Sequence, residues 1–210
     1  MEKKSTTKIR EIFTSIQGEG PYVGQKHIFV RFCKCNLNCD FCDTDFSYQK
    51  ADEYDCEKLY ETLKDIDCNV ISLTGGEPLM DIAFLKEFLS KYKEKLNKKI
   101  YLETNGTKFK ELSEIIDFID IISMDIKLKS ATKEELRNLE NEKFLEISSK
   151  KEVFIKVVFD NNIKESEILY CTNLAQKHNT TIVLQPKMPM ENNLKLEEIF
   201  EKFYKNYKNI

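Results

Sequence analysis

Short apolar runs alternate along this chain with longer stretches in which apolar residues recur every three or four positions. Six of the runs are compact and rich in Val, Ile and Phe: HIFVRFC (27–33), VISLT (70–74), KIYLET (99–104), DIISMDI (120–126), VFIKVVF (153–159) and TIVLQ (181–185). Nearly continuous apolar runs of this length are the pattern of parallel strands covered on both faces. A seventh run, KIREIF (8–13), is expected to add an edge. Helical periodicity fills the intervals. CEKLYETLKDI (56–66) puts Leu59, Leu63 and Ile66 on one face, and DIAFLKEFLSKYKEKL (81–96) does the same with Phe84, Leu85, Phe88, Leu89 and Leu96. Further helices are predicted over 112–119, 164–178 and 194–207, with some helix in the charged segment 128–150. Strand–helix alternation with crossover connections predicts an α/β fold on a mainly parallel sheet. With no repeat, linker or low-complexity segment, residues 1–210 are expected to form one domain.

Sheets of this kind build their sites beyond the carboxyl ends of the strands, and the polar and glycine residues of this chain gather there. The cysteine-rich loop follows the first strand of the six, Thr74-Gly75-Gly76-Glu77-Pro78 the second, and Thr104-Asn105-Gly106-Thr107 the third. The fourth strand carries Ser123 and Asp125 near its end, and the sixth runs into Gln185-Pro186.

Composition narrows the picture. Charged residues make up 33% of the chain and apolar residues 41%, as in globular proteins, and 33 basic against 36 acidic residues give a formal net charge of −3. That balance argues against binding nucleic acid through bulk charge, and the lysines read as solvated helix faces. The amino-terminal segment lacks the apolar core of a signal peptide, and no run reaches membrane-spanning length. Seven cysteines, odd in number and unevenly spaced, suit a reducing cytoplasm, where close cysteines bind metal more often than they form disulfides.

Four of the seven lie between Cys33 and Cys42. The spacing Cys35-x3-Cys39-x2-Cys42 brings three soft thiolates within reach of one inorganic centre. Two readings stand side by side. Cys33, Cys35, Cys39 and Cys42 could close a tetrahedron around structural zinc. Alternatively, three cysteines could hold a four-iron cluster with one iron open to an outside ligand. The single residue between Cys33 and Cys35 favours the cluster, because zinc knuckles use two or more. Cys33 then reads as a buried strand residue, and Cys56, Cys68 and Cys171 as small core or surface residues. His27 and His178 read as structural.

Cys35-x3-Cys39-x-Phe41-Cys42, followed one strand later by Thr74-Gly75-Gly76-Glu77-Pro78, resembles the radical S-adenosylmethionine (SAM) superfamily. The resemblance implies a partial (β/α) barrel of about six parallel strands. It also implies a [4Fe–4S] cluster on Cys35, Cys39 and Cys42 with S-adenosyl-L-methionine on the open iron. Glu11 to Gly20 (EIFTSIQGEG), Gly24, Phe29-Val30-Arg31-Phe32 and Cys42-Asp43-Thr44 are similar to the 7-carboxy-7-deazaguanine synthase family within it. Members convert 6-carboxy-5,6,7,8-tetrahydropterin into 7-carboxy-7-deazaguanine, with loss of ammonia, on the way to queuosine and related deazapurines. The resemblance runs from about residue 9 to Met188.

It implies pterin contacts from Ile16, Gln17, Gly18 and Thr74, and a carboxylate contact from Arg31. Mg2+ is implied on Thr44. Cofactor contacts are implied for Phe41, Cys42, Asp43, Gly76, Ser123, Met124 and Asp125, and for Gln185, Pro186, Lys187 and Met188. A flavodoxin or ferredoxin reductant and a homodimer are implied as well. Two features depart from the family pattern. Cys33-Lys34 stands where many members have a small residue and Gly, and the sequence given reaches Ile210 without the proline- and histidine-containing tail that closes over substrate in many members. Either a different closing segment or a different substrate is therefore expected. The alternatives are a glycyl-radical activase, which has no need of IQGEG with Arg31, and a non-catalytic zinc-binding module, which would hold zinc and be colourless.

Overall fold

A computed structural model describes residues 4–40, 42, 50–190 and 192–210. Its centre is one sheet of eight strands: β1 (Thr6–Ile16), β2 (Lys26–Phe32), β3 (Asp52–Asp55), β4 (Val70–Gly75), β5 (Lys99–Thr104), β6 (Ile121–Ile126), β7 (Glu152–Phe159) and β8 (Thr181–Pro186). The spatial order is β3-β1-β2-β4-β5-β6-β7-β8. The six strands from β2 and β4 through β8 are mutually parallel, and each lies within about a residue of its expected place. The sheet is open, with β3 and β8 at its two ends.

The hairpin side departs from expectation. β1 runs five positions beyond the apolar run at 8–13 on its amino- and carboxyl-terminal sides together, and it is not the edge. It pairs antiparallel with β2 and then with β3, a strand of sequence DEYD. β3 has no apolar alternation to announce it; its backbone pairing holds it, and its carboxylates blunt the exposed edge. Asp55 also caps the next helix, accepting from Lys58 N at 2.8 Å.

The helices are α1 (Cys56–Leu63), α2 (Ile82–Leu96), α3 (Phe109–Ile115), α4 (Lys129–Thr132), α5 (Asn138–Ser148), α6 (Glu165–His178) and α7 (Leu196–Asn206). The segment 128–150 thus resolves into two helices, interrupted where Lys133 takes a left-handed backbone. Apart from the one-turn α4, successive helices pack on one another, over strand residues such as Ile28, Val30, Leu73, Leu102, Ile122 and Val157, all fully buried. This is the main core.

The opposite face of the sheet is not the apolar surface that two-sided burial predicts. Strand register sets Phe29, Ser72, Tyr101 and Ile121 on it in one layer, with Arg31, Thr74, Glu103, Ser123 and Phe154 one step nearer the carboxyl ends and Asp125 and Lys156 one step beyond those. The lower layer is a packed aromatic floor. The Tyr101 ring stands 5.2 Å from His27 and 6.3 Å from Phe154. His27 is fully buried with Nδ1 2.8 Å from Ser72 Oγ, in keeping with a structural histidine. Toward the carboxyl ends the face turns polar and charged, and Arg31, Thr74, Glu103, Asp125 and Lys156 line a cavity.

Candidate active site

Above the aromatic floor lies a cavity of about 440 Å³, at the carboxyl ends of the parallel strands. The cysteine loop after β2 forms one wall, and Cys35, Cys39 and Cys42 all face the space. Burial raises the Cys35 and Cys39 thiols above the usual cysteine range, and neighbouring cysteines of the same loop push the same way. Cys33 is 2% exposed and does not line the cavity. Cys56, Cys68 and Cys171 are buried elsewhere. Among the described residues no three His, Cys, Asp or Glu side chains stand ready to hold a single metal ion. The donor set fits a larger sulfur-liganded centre: three soft sulfurs from one loop face one space.

The cysteine loop is held by its neighbours. Gly76 N donates to Phe32 O at 3.0 Å, and Glu77 N to Lys34 O at 2.6 Å. Gly76 passes so close that a Cβ there would lie 2.0 Å from Lys34 O. The Glu77 carboxylate is wholly buried and accepts from Thr104 Oγ1 (2.9 Å), Asn105 N (2.8 Å) and Leu79 N (3.2 Å). Burial pushes it up to about 7. Asn105 Nδ2 donates to Asn36 Oδ1 and Asn36 Nδ2 to Thr107 Oγ1, both at 2.9 Å. The loops after β2, β4 and β5 are therefore one hydrogen-bonded body. Lys34, a departure from the family pattern, pairs with the nearly buried Asp81 and adds to that body.

Across the cavity, Arg31 projects from β2. A register shift in β1 between Ile9 and Glu11 sets Glu11 opposite Arg31, and Arg31 Nε donates to Glu11 Oε1 at 2.8 Å. Bulges commonly re-aim a side chain in this way. The end of β1 and the loop after it bring in Ile16, Gln17, Gly18 and Glu19. Gln17 is buried; its Nε2 donates to Glu103 Oε1 at 3.0 Å, while Thr74 Oγ1 donates to Glu103 Oε2 at 2.6 Å. Burial raises the Glu103 carboxyl despite these partners and the nearby Lys156. Burial also pushes the Asp125 carboxyl upward, but Lys127 and Lys156 outweigh it and hold it below the usual range. Their ammoniums lie 2.8 and 3.1 Å from its two oxygens.

Of the residues expected from the sequence, Arg31, Ile16, Gln17, Gly18, Thr74, Gly76 and Asp125 meet the three cysteines at this cavity. Ser123 and Gln185 sit just behind its lining; Gln185 Nε2 donates to Glu19 Oε1 at 2.7 Å. Met124 is turned into the helix-side core, and Pro186 ends β8 with Lys187 and Met188 following it, none of the three lining the cavity. Phe41, Asp43 and Thr44 lie outside the described residues. Sequence reasoning missed Glu19, Glu103, Lys127 and Lys156. Glu103 and Lys156 left a signal: each is a charge set inside an apolar strand run.

Residues 29–203 match the Radical SAM superfamily. The 7-carboxy-7-deazaguanine synthase of Methanocaldococcus jannaschii is 34% identical over 215 aligned residues, covering 88% of this chain and 84% of that one. The synthase of Geobacter sulfurreducens is 31% identical over 208, covering 87% and 82%. A solved structure described as QueE from Escherichia coli superposes with a TM-score of 0.51 over 86% of this chain and 94% of that one; at 20% identity the likeness is one of fold.

Proposed function

The chain belongs to the radical SAM superfamily and, within it, to the 7-carboxy-7-deazaguanine synthases, and from that membership we propose how its own residues serve the reaction. The substrate is 6-carboxy-5,6,7,8-tetrahydropterin and the products are 7-carboxy-7-deazaguanine and ammonia. One observation carries the assignment of residues: a single cavity joins three loop cysteines to an arginine and to a hydrogen-bonded carboxylate. Cys35, Cys39 and Cys42 would hold the [4Fe–4S] cluster, with S-adenosylmethionine bound beside it. When bound, these two groups supply one-electron chemistry at a carbon–hydrogen bond of the substrate.

The protein supplies position and shelter. Arg31, fixed by Glu11 through Nε, offers its guanidinium to the pterin carboxylate, a pairing suited to a planar fork. Glu103, held by Thr74 and Gln17, accepts from the amine and ring N–H of the aminopyrimidinone. Asp125, at the far side of the cavity, serves the cofactor, with Ser123, Met124 and the segment from Gln185 to Met188 behind it. Gly76 lets the loop after β4 close on the cysteine loop beside the methionine end of the cofactor, and Phe41 and Asp43 complete that side. Mg2+ on Thr44 belongs to the reading, since hard cations favour oxygen donors. So do one domain over residues 1–210, a flavodoxin or ferredoxin reductant, a homodimer and a cytoplasmic setting, as properties expected of the family. No helix among the described residues is long and apolar enough to cross a membrane.

The test is to reconstitute the protein anaerobically, reduce it, supply the carboxypterin and S-adenosylmethionine, and look for the deazaguanine by mass. Arg31→Ala should raise the pterin Kd while leaving S-adenosylmethionine affinity intact. Cofactor cleavage by the wild type without deazaguanine would refute the substrate, and unchanged pterin affinity in Arg31→Ala would refute the carboxylate contact.

A further inference from the structure

Lys156 stands in the middle of β7, where its neighbours in sequence are apolar, and it is 8% exposed. Its ammonium meets two carboxylates that belong to different parts of the chain. One is Glu19, on the loop after β1; the other is Asp125, on β6, at 3.1 Å. Glu103 on β5 is a third negative group facing the same ammonium. Of the three, Glu103 and Asp125 are fixed on paired strands, and only Glu19 sits on a loop. That loop also carries Gln17, whose Oε1 accepts from Glu19 N at 3.1 Å and whose Nε2 reaches Glu103.

We propose that Lys156 is a positioning residue that clamps the loop after β1 onto the sheet through Glu19, and so assembles the pterin side of the cavity. The proposal rests on the functional reading above and extends it. Without the ammonium, three carboxylates would share one poorly solvated space, and like charges at that range repel strongly. The loop is the part that can yield. Glu19 would swing toward solvent and draw Gln17 away from Glu103, leaving a buried acceptor short of a partner. The cofactor side would suffer less, because Asp125 keeps Lys127.

Equilibrium dialysis of the reconstituted protein against the carboxypterin and, separately, against S-adenosylmethionine tests this. Lys156→Met is expected to raise the pterin Kd about tenfold or more and the S-adenosylmethionine Kd by less than about threefold. Lys156→Arg keeps the charge and is expected to bind both within about threefold of wild type. In the double variant Lys156→Met with Glu19→Gln the loop no longer carries a charge to be repelled, so its pterin Kd should match that of Glu19→Gln alone rather than the product of the two single effects. If Lys156→Met does not fold, the double variant and Lys156→Arg carry the comparison. Equal loss of both ligands, multiplicative effects in the double variant, or wild-type pterin binding by Lys156→Met would overturn the role of Lys156. Failure of the wild type itself to bind the pterin would instead sink the functional reading beneath it.

Discussion

Gly76→Ala isolates the closest approach in the site. Gly76 does not have a positive φ, so alanine is conformationally acceptable there and the effect is steric. The added Cβ would lie 2.0 Å from Lys34 O and 2.5 Å from Lys34 C, where real side-chain carbons keep at least 3.0 Å from such atoms. Both neighbours are backbone, so no rotamer change relieves the clash. The loops after β2 and β4 must part by about 1 Å, which strains or breaks Gly76 N to Phe32 O and Glu77 N to Lys34 O. Forcing a methyl into packed structure costs about 1–3 kcal/mol, and two backbone hydrogen bonds add about 1 kcal/mol each. Restriction of the unfolded chain returns about 0.5 kcal/mol. The net loss is about 2.5–4.5 kcal/mol, which for a chain of this size lowers Tm by about 5–18 °C.

Anaerobic thermal melts of the iron-free protein, followed by iron determination after reconstitution, measure both consequences. Gly18→Ala is the control, since a Cβ there meets nothing within 4 Å; its melt should match wild type. The expected result for Gly76→Ala is a lowered melt together with reduced iron per chain, because the displaced loop carries the cysteines. A melt within about 1 °C of wild type and full iron would refute the idea that the loop after β4 braces the cysteine loop.

Alanine at Cys35, Cys39 or Cys42 should each abolish cluster loading, read as lost iron and lost brown colour. Cys33→Ala should keep the iron and cost about 1 kcal/mol of stability as a small buried side chain; iron lost only with Cys33 would refute the choice of ligands. Glu77 provides a pH test. Its ordinary value is 4.5 and burial raises it to about 7, so within that window the folded chain holds a proton that the unfolded chain has released. Stability should therefore fall as pH rises from the lower value to the higher, by about 3 kcal/mol from this group, and level off above it. Urea unfolding of the iron-free protein at about pH 5 and about pH 8 should show this excess slope in wild type and not in Glu77→Gln; equal slopes would contradict it.

The parallel strands were legible because each carries an unbroken set of apolar residues toward the helices, and that set is long enough to stand out from either period. β3 was not, because DEYD is held by backbone pairing to β1 and sends only Tyr54 against the core. The reach of β1 was hidden for a related reason: Thr14, Ser15 and Ile16 pair with Ile28, His27 and Lys26, but their side chains are largely exposed. α3 stops short of its predicted end because Ile115 leaves the helical region, and a tighter turn carries Ile116–Phe118. Nothing in the residue types there marks that change.

The candidate site was legible where its chemistry is local and obscure where it is assembled across strands. Three thiols on one loop declare themselves by spacing, and so do the glycines that let the next loop approach. Glu103 and Lys156 declare themselves only through strand register. In KIYLET and VFIKVVF each lies two positions beyond an aromatic residue on the same face, so the face changes from ring to charge toward the carboxyl end. That change also fixes what the cavity can receive. Among the described residues, Arg31 is matched by Glu11, and Lys156 and Lys127 are matched by Glu19 and Asp125. Among the described residues, Glu103 has only the neutral donors of Thr74 and Gln17 as hydrogen-bond partners. A half-buried carboxylate left in that state is best satisfied by a ligand that brings N–H donors of its own, which is what the aminopyrimidinone edge of a pterin offers and a simple carboxylic acid does not.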